Sequence, residues 1–141
     1  MDAPRPTHPP AAWWALRRNL PEAGARLCGL SDIPDDNGLD LVFGEHEPRL
    51  RIMLFRVHET VHAWINECPH QKVPVNVWPD VFCVSQTDGV RHLVCEHHWA
   101  MFRLRDGYCE QGPCEGASLA RVPVSVVGDE VRLGNTEPDA A

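Results

Sequence analysis

The chain has 141 residues, 43% of them apolar, which is enough for one domain with a hydrophobic core. Its formal charge of −7 argues against a nucleic-acid or anionic-membrane surface, since both call for basic patches. The longest apolar run, AAWWAL, is far short of a membrane span, and Arg17-Arg18 leads into NLPEAGARLCGL rather than the apolar stretch of an export signal. A cytoplasmic protein is expected.

The opening MDAPRPTHPP is proline-rich and polar and reads as an extended lead. AAWWALRRNL then predicts one short helix between Pro10 and Pro21, so residues 1–24 form an extension. After it the pattern turns to strands. LDLVF, RLRIMLFR and VHAWIN are rich in branched and aromatic residues and are punctuated by Asp36-Asn37-Gly38 and by the segment 44–48. VFCVSQTDGVRHLVC predicts a hairpin turning at Asp88-Gly89, MFRLRDGYC a second at Asp106-Gly107, and ARVPVSVVGDEVRL a third at Gly128-Asp129. NTEPDAA closes the chain as an acidic tail, 135–141, leaving 25–134 as the domain. Short strands at close intervals, without helix–strand alternation, predict an all-β antiparallel sandwich or barrel.

Six cysteines are too sparse for a disulfide scaffold and point to metal or free thiols in a reducing compartment. Two stretches, ECPHQKVPVN and LVCEHHWAMF, each set a thiol two or three residues before an imidazole: Cys68 with His70, and Cys95 with His97 or His98. Residues 71–94 between them hold the first predicted hairpin, so two short loops can approach each other, each with one sulfur and one nitrogen ligand. Structural zinc sites favour C-x₂₋₄-C with H-x₃₋₅-H, so that one loop chelates a single ion. The mixed pairs suit a binuclear cluster better, with both thiolates on one iron and both imidazoles on the other. A catalytic Cys–His pair would need an oxyanion hole and a third orienting residue, and none is visible.

CPH followed by CEHH resembles the Rieske pattern C-x-H…C-x₂-H, with Cys68, His70, Cys95 and His98 at its four ligand positions. FRLRDGYC is similar to the family's strand and turn after the second loop, and QGPCEGASLARVPVSV to its proline loop and last strands. The resemblance implies a β-sandwich base with a cluster-binding subdomain of two loops, and one [2Fe–2S] cluster per chain. It also implies an electron carrier rather than an enzyme, taking an electron from a flavin-dependent reductase and passing it to an oxygenase or another redox enzyme. A Rieske oxygenase would add a catalytic domain, for which this length leaves no room. The alternatives are a nitrite-reductase-like small or regulatory subunit, which can lack the ligands, and a zinc-stabilised binding module. The chain departs from the family in its longer spacer, in Glu96 where a proline is common, and in Trp99 where a glycine usually meets a backbone need. High-potential members carry an added cysteine pair, a serine and a tyrosine where this chain has Val73, His97, Ala100 and Phe102.

Among the remaining residues, His62 is expected to face outward from its strand, and His8, His46, His58 and His92 to lie on the surface. Trp64 and Cys83 are read as packing residues and Cys28 as a buried strand thiol. Cys109 and Cys114 flank EQGP and could close a small disulfide, but read more simply as apolar fillers around the proline loop. Trp78 and Trp99 fall near the cluster end, as a lid or part of a docking face.

Overall fold

A computed structural model describes residues 19–34, 37–46, 49–57, 60–69, 73–78 and 81–134. Ten strands follow in order: β1 (Arg26–Gly29), β2 (Gly38–Phe43), β3 (Leu50–Val57), β4 (Thr60–Ile65), β5 (Cys83–Thr87), β6 (Val90–Val94), β7 (Met101–Arg103), β8 (Cys109–Gln111), β9 (Val124–Val127) and β10 (Glu130–Leu133). They form three antiparallel sheets, ordered β1-β10-β9, β2-β3-β4 and β5-β6-β7-β8. The all-β expectation holds, and no α-helix occurs among the described residues. None of their helices is long and apolar enough to cross a membrane. The expected helix in AAWWALRRNL lies almost entirely outside the described residues, as does the acidic tail.

The run Ile52-Met53-Leu54-Phe55 in β3 is buried along its whole length. Strand alternation divides it between two cores. Ile52 and Leu54 join Cys28, Ile33, Ala63, Ile65, Val122 and Val131 in the core of the base. Met53 and Phe55 point the other way, into a core with Trp64, Phe82, Leu93, Phe102 and Leu119 beneath the four-stranded sheet. A strand covered on both faces reads as a continuous apolar run, which is the pattern in the sequence.

The hairpin turns follow from backbone chemistry. Asp88 and Gly89 have φ of 53° and 79°, so the two-residue loop between β5 and β6 is of the type whose twist matches its strands. Gly107, at φ 75°, is doubly constrained, because a Cβ there would stand 2.7 Å from Trp64 Nε1. The close approach seats the turn before β8 against the core.

Two histidines differ from expectation. His92 is buried at 8% exposure, because β6 is an inner strand of its sheet and long neighbours cover the ring. Its Nε2 lies 2.5 Å from Glu110 Oε1, and Arg103 stands 3.8 Å from the other oxygen of that carboxylate. His62 is half-buried, stacked on Trp64 with ring centroids 5.8 Å apart, and lines a cavity of about 400 Å³ with Arg91 and Arg105. Burial first, and then the Arg121 guanidinium, hold its pKa below the ordinary value. His46 is exposed as expected, and His8 and His58 lie outside the described residues.

Candidate metal centre

Two loops meet at the end of the four-stranded sheet. The first leaves β4 at Asn66. Its Cys68 N–H donates to the Val73 carbonyl (2.7 Å), a tight closure around Pro69 that leaves Cys68 1% exposed. The second follows β6 and is closed by two bonds, Cys95 N–H to Ala100 O (2.8 Å) and Trp99 N–H to Cys95 O (2.8 Å). Cys95 is fully buried.

The structure brings Cys68 and Cys95 side by side. Burial raises the Cys95 pKa and the adjacent Cys68 thiol adds to the rise, while the backbone N–H groups of His97 and His98 donate toward the Cys95 sulfur and oppose it. Two adjacent buried sulfurs are poor hosts for two bare negative charges, and a thiophilic cation or cluster is what such a pair accommodates. The donor set therefore fits a sulfur-ligated centre. His98 and His97 are both exposed at the tip, and His70 lies outside the described residues. Among the described residues no three His, Cys, Asp or Glu side chains close around one point. Cys68 and Cys95 thus meet where the two loops converge, and the His98 backbone N–H reaches the Cys95 sulfur.

Several supports were not legible in the sequence. Asn66 and Asn76 bracket the first loop and are buried. Asn66 Nδ2 donates to Asn76 Oδ1 (2.8 Å), Val75 N–H donates to Asn66 Oδ1 (2.8 Å), and Asn76 Nδ2 donates to the Trp78 carbonyl (2.8 Å). Both amides reach the carboxylate of Asp40 on β2, which also pairs with Arg51. The signal was an acid inside an apolar strand and two asparagines at the loop's ends.

Glu96 straps the loops together: its N–H donates to Val75 O (2.8 Å) and its carboxylate accepts from Val77 N–H (3.2 Å). A proline at 96 could not make the first of these bonds. Trp99 has φ 63°, so the position does require the left-handed backbone that a glycine adopts freely, and a bulky residue adopts it here. The residue is 66% exposed. The strap holds Val77, Trp78 and Val81, all exposed, at the same end of the molecule as Trp99.

The remaining thiols fill space. Cys28 is buried in β1, and burial with the nearby Asp32 pushes it up to about 11. Cys83 is half-buried, Cys109 lies in the core under the sheet, and Cys114 packs against that core. No disulfide joins any of the six cysteines.

The family model of the Rieske [2Fe-2S] domain matches residues 25–127. Among solved structures the chain is similar to the ferredoxin of carbazole 1,9a-dioxygenase from Nocardioides aromaticivorans IC177, at 20% identity and a TM-score of 0.56, covering 82% of this chain and 100% of that one. It is also similar to the E. coli protein NirD, at 20% identity and a TM-score of 0.61, covering 81% and 97%. The terminal oxygenase of carbazole 1,9a-dioxygenase from Novosphingobium sp. KA1 matches at 20% identity and a TM-score of 0.60, covering 82% of this chain and 31% of that one. No curated protein matches it.

Proposed function

The chain belongs to the Rieske [2Fe-2S] domain family, and on that premise we propose that it is a Rieske-type ferredoxin with Cys68, His70, Cys95 and His98 as the cluster ligands. One observation carries the ligand reading: two loops far apart in sequence deliver Cys68 and Cys95 to the same buried point. The cluster supplies one-electron oxidation and reduction. The chain's own residues fix the rest. The His97 and His98 amides direct hydrogen bonds at the Cys95 sulfur, Ala100 and Phe102 keep that side dry, and His98 faces solvent.

The donor is read as a flavin-dependent reductase and the acceptor as an oxygenase or another redox enzyme, with the protein working in the cytoplasm on residues 25–134. A ferredoxin of a dioxygenase among its structural neighbours supports this direction. Val77, Trp78, Val81 and Trp99 form the apolar part of the docking face, around a tip whose histidines give a short path to the partner. Proteins described as nitrite reductase small subunits are also among its structural neighbours and favour a second reading, a small subunit of a nitrite-reductase-like enzyme; the partner that co-purifies separates the two.

Protein made with iron available is expected to be red-brown, with two irons and two acid-labile sulfides per chain, as a [2Fe–2S] centre requires. His98→Ala should abolish the Rieske spectrum and His97→Ala should leave it. The reverse result would shift the ligand to His97, and stoichiometric zinc without labile sulfide would overturn the assignment.

A further inference from the structure

Cys109 and Cys114 lie outside the ligand set, and their side chains are in direct contact. Their sulfurs are 3.5 Å apart. The segment between them is a closed turn: Cys109 N–H donates to Ala117 O (2.8 Å), Gly116 N–H to Cys109 O (3.0 Å), and Ala117 N–H to Cys114 O (2.9 Å). The two backbones therefore face each other across a hydrogen-bonded frame. A sulfur–sulfur bond of about 2.05 Å asks the two sulfurs to close by about 1.5 Å. The two sites also differ in access, since Cys109 is fully buried and Cys114 is half-buried.

The turn's surroundings give such a bond consequences. Gly112, at φ 108°, sits so close to the second loop that a Cβ would stand 2.6 Å from Ala100 Cα. Cys114 also reaches the Cys68 thiol of the first loop. A change at this pair is felt by both loops.

We propose that Cys109 and Cys114 form a reversible disulfide in the folded, cluster-bearing protein, making the proline loop a thiol-oxidation site beside the electron-transfer centre. The oxidant class is a low-molecular-weight disulfide. The Cys114 sulfur attacks one of its sulfurs, forming a mixed disulfide and releasing one small thiol. The Cys109 sulfur then attacks the Cys114 sulfur, closing the bridge and releasing the second small thiol. The pair loses two electrons and two protons, and both go to the two thiols released. The order follows access, the half-buried sulfur meeting the reagent first and the buried one resolving it. Burial and then Cys109 push the Cys114 thiol up to about 11, so the exchange is slow at neutral pH and is followed to equilibrium.

The test equilibrates the cluster-bearing protein, without oxygen, in glutathione buffers of graded redox ratio, and measures its iron and labile sulfide. Free thiols are then alkylated and the tryptic peptide 106–121, which holds both cysteines, is weighed. The expected result is a peptide lighter by two hydrogens that takes no alkyl group, reverts with reductant, and forms while the protein keeps its iron and labile sulfide. Cys109→Ala should arrest the reaction as a glutathione adduct on Cys114. Two alkyl groups on the peptide at every ratio would overturn the proposal. So would a wild-type reaction that stops at the adduct, or a bridge from Cys68 that appears with bleaching.

Discussion

Asp40 and Asn76 are joined across the boundary between the base and the first loop: Asn76 Nδ2 stands 3.3 Å from the Asp40 carboxylate, whose side chain is 2% exposed. A strand of the base thus sets the height of the loop that presents Cys68, through an amide network in which Asn66 is the centre.

Asn66→Ala should cost about 2–4 kcal/mol, because the Val75 N–H and the Asn76 carboxamide oxygen lose their partner while buried. Chemical denaturation measures the loss. The cluster of the variant should also bleach faster than that of the parent, since the first loop loses its anchor. An unchanged bleaching rate would mean that the network supports the base alone.

The left-handed backbone at Trp99 gives a prediction of opposite sign. A non-glycine residue there costs about 1–2 kcal/mol. A glycine's greater freedom when unfolded takes back about 0.5–1 kcal/mol. Trp99→Gly is therefore expected to stabilise the fold by about 0.5–1 kcal/mol, the difference of the two effects. The same change removes an exposed indole from the tip, so binding to the redox partner should weaken while stability rises. Parallel denaturation and binding measurements separate the two.

His62 predicts a pH dependence. Burial, followed by Arg121, holds its folded pKa below the ordinary value of 6.5. The unfolded histidine therefore takes up a proton at a higher pH than the folded one. Below the ordinary value the unfolded state binds more protons, so stability falls as pH falls, until the folded pKa is passed and the loss stops growing. Denaturation between about pH 7.5 and about pH 5.5 should show this slope, and His62→Gln should reduce it. The slope is the readout, because losing the stack on Trp64 lowers stability at every pH.

The midpoint potential is expected in the lower part of the Rieske range, nearer about −150 than about +300 mV. Hydrogen bonds to the sulfurs favour the reduced cluster, and Ala100 and Phe102, both fully buried, carry no hydroxyl to donate. The amides of His97 and His98 remain as donors to Cys95. A spectroscopic redox titration that gave a midpoint above about +200 mV would remove the ferredoxin reading in favour of a respiratory-type acceptor.

What the sequence disclosed and what it hid divide along physical lines. Asp88-Gly89 and Gly128-Asp129 were legible because a tight hairpin restricts its residues to a few types. The paired thiols were legible because ligand chemistry restricts spacing. The two cores were not, since the apolar run in β3 says that both faces are covered but not by what. His92 was misread because its partner Glu110 comes from another strand, and a polar residue looks solvent-facing until the side chain that satisfies it is known. The backbone at Trp99 was signalled only by the family's usual glycine there, because the residue type itself contradicts the conformation it adopts.

The exit and return of the loop-bearing segment lie next to each other. Ile65 N–H donates to Ala120 O and Val122 N–H to the Ala63 carbonyl, each at 2.9 Å, so the chain leaves the base and re-enters it through one gate. Everything between is, for the base, a single long insertion, hinged at this gate and tied back to the base by Asp40 and by the core under β3. Lengthening a flexible loop within such an excursion costs little, about 0.6 kcal/mol for each doubling, and leaves the gate where it is. A spacer longer than the family's is therefore cheap to acquire, and the exposed Trp78 and Val81 that it carries can vary with the partner while the scaffold stays constant.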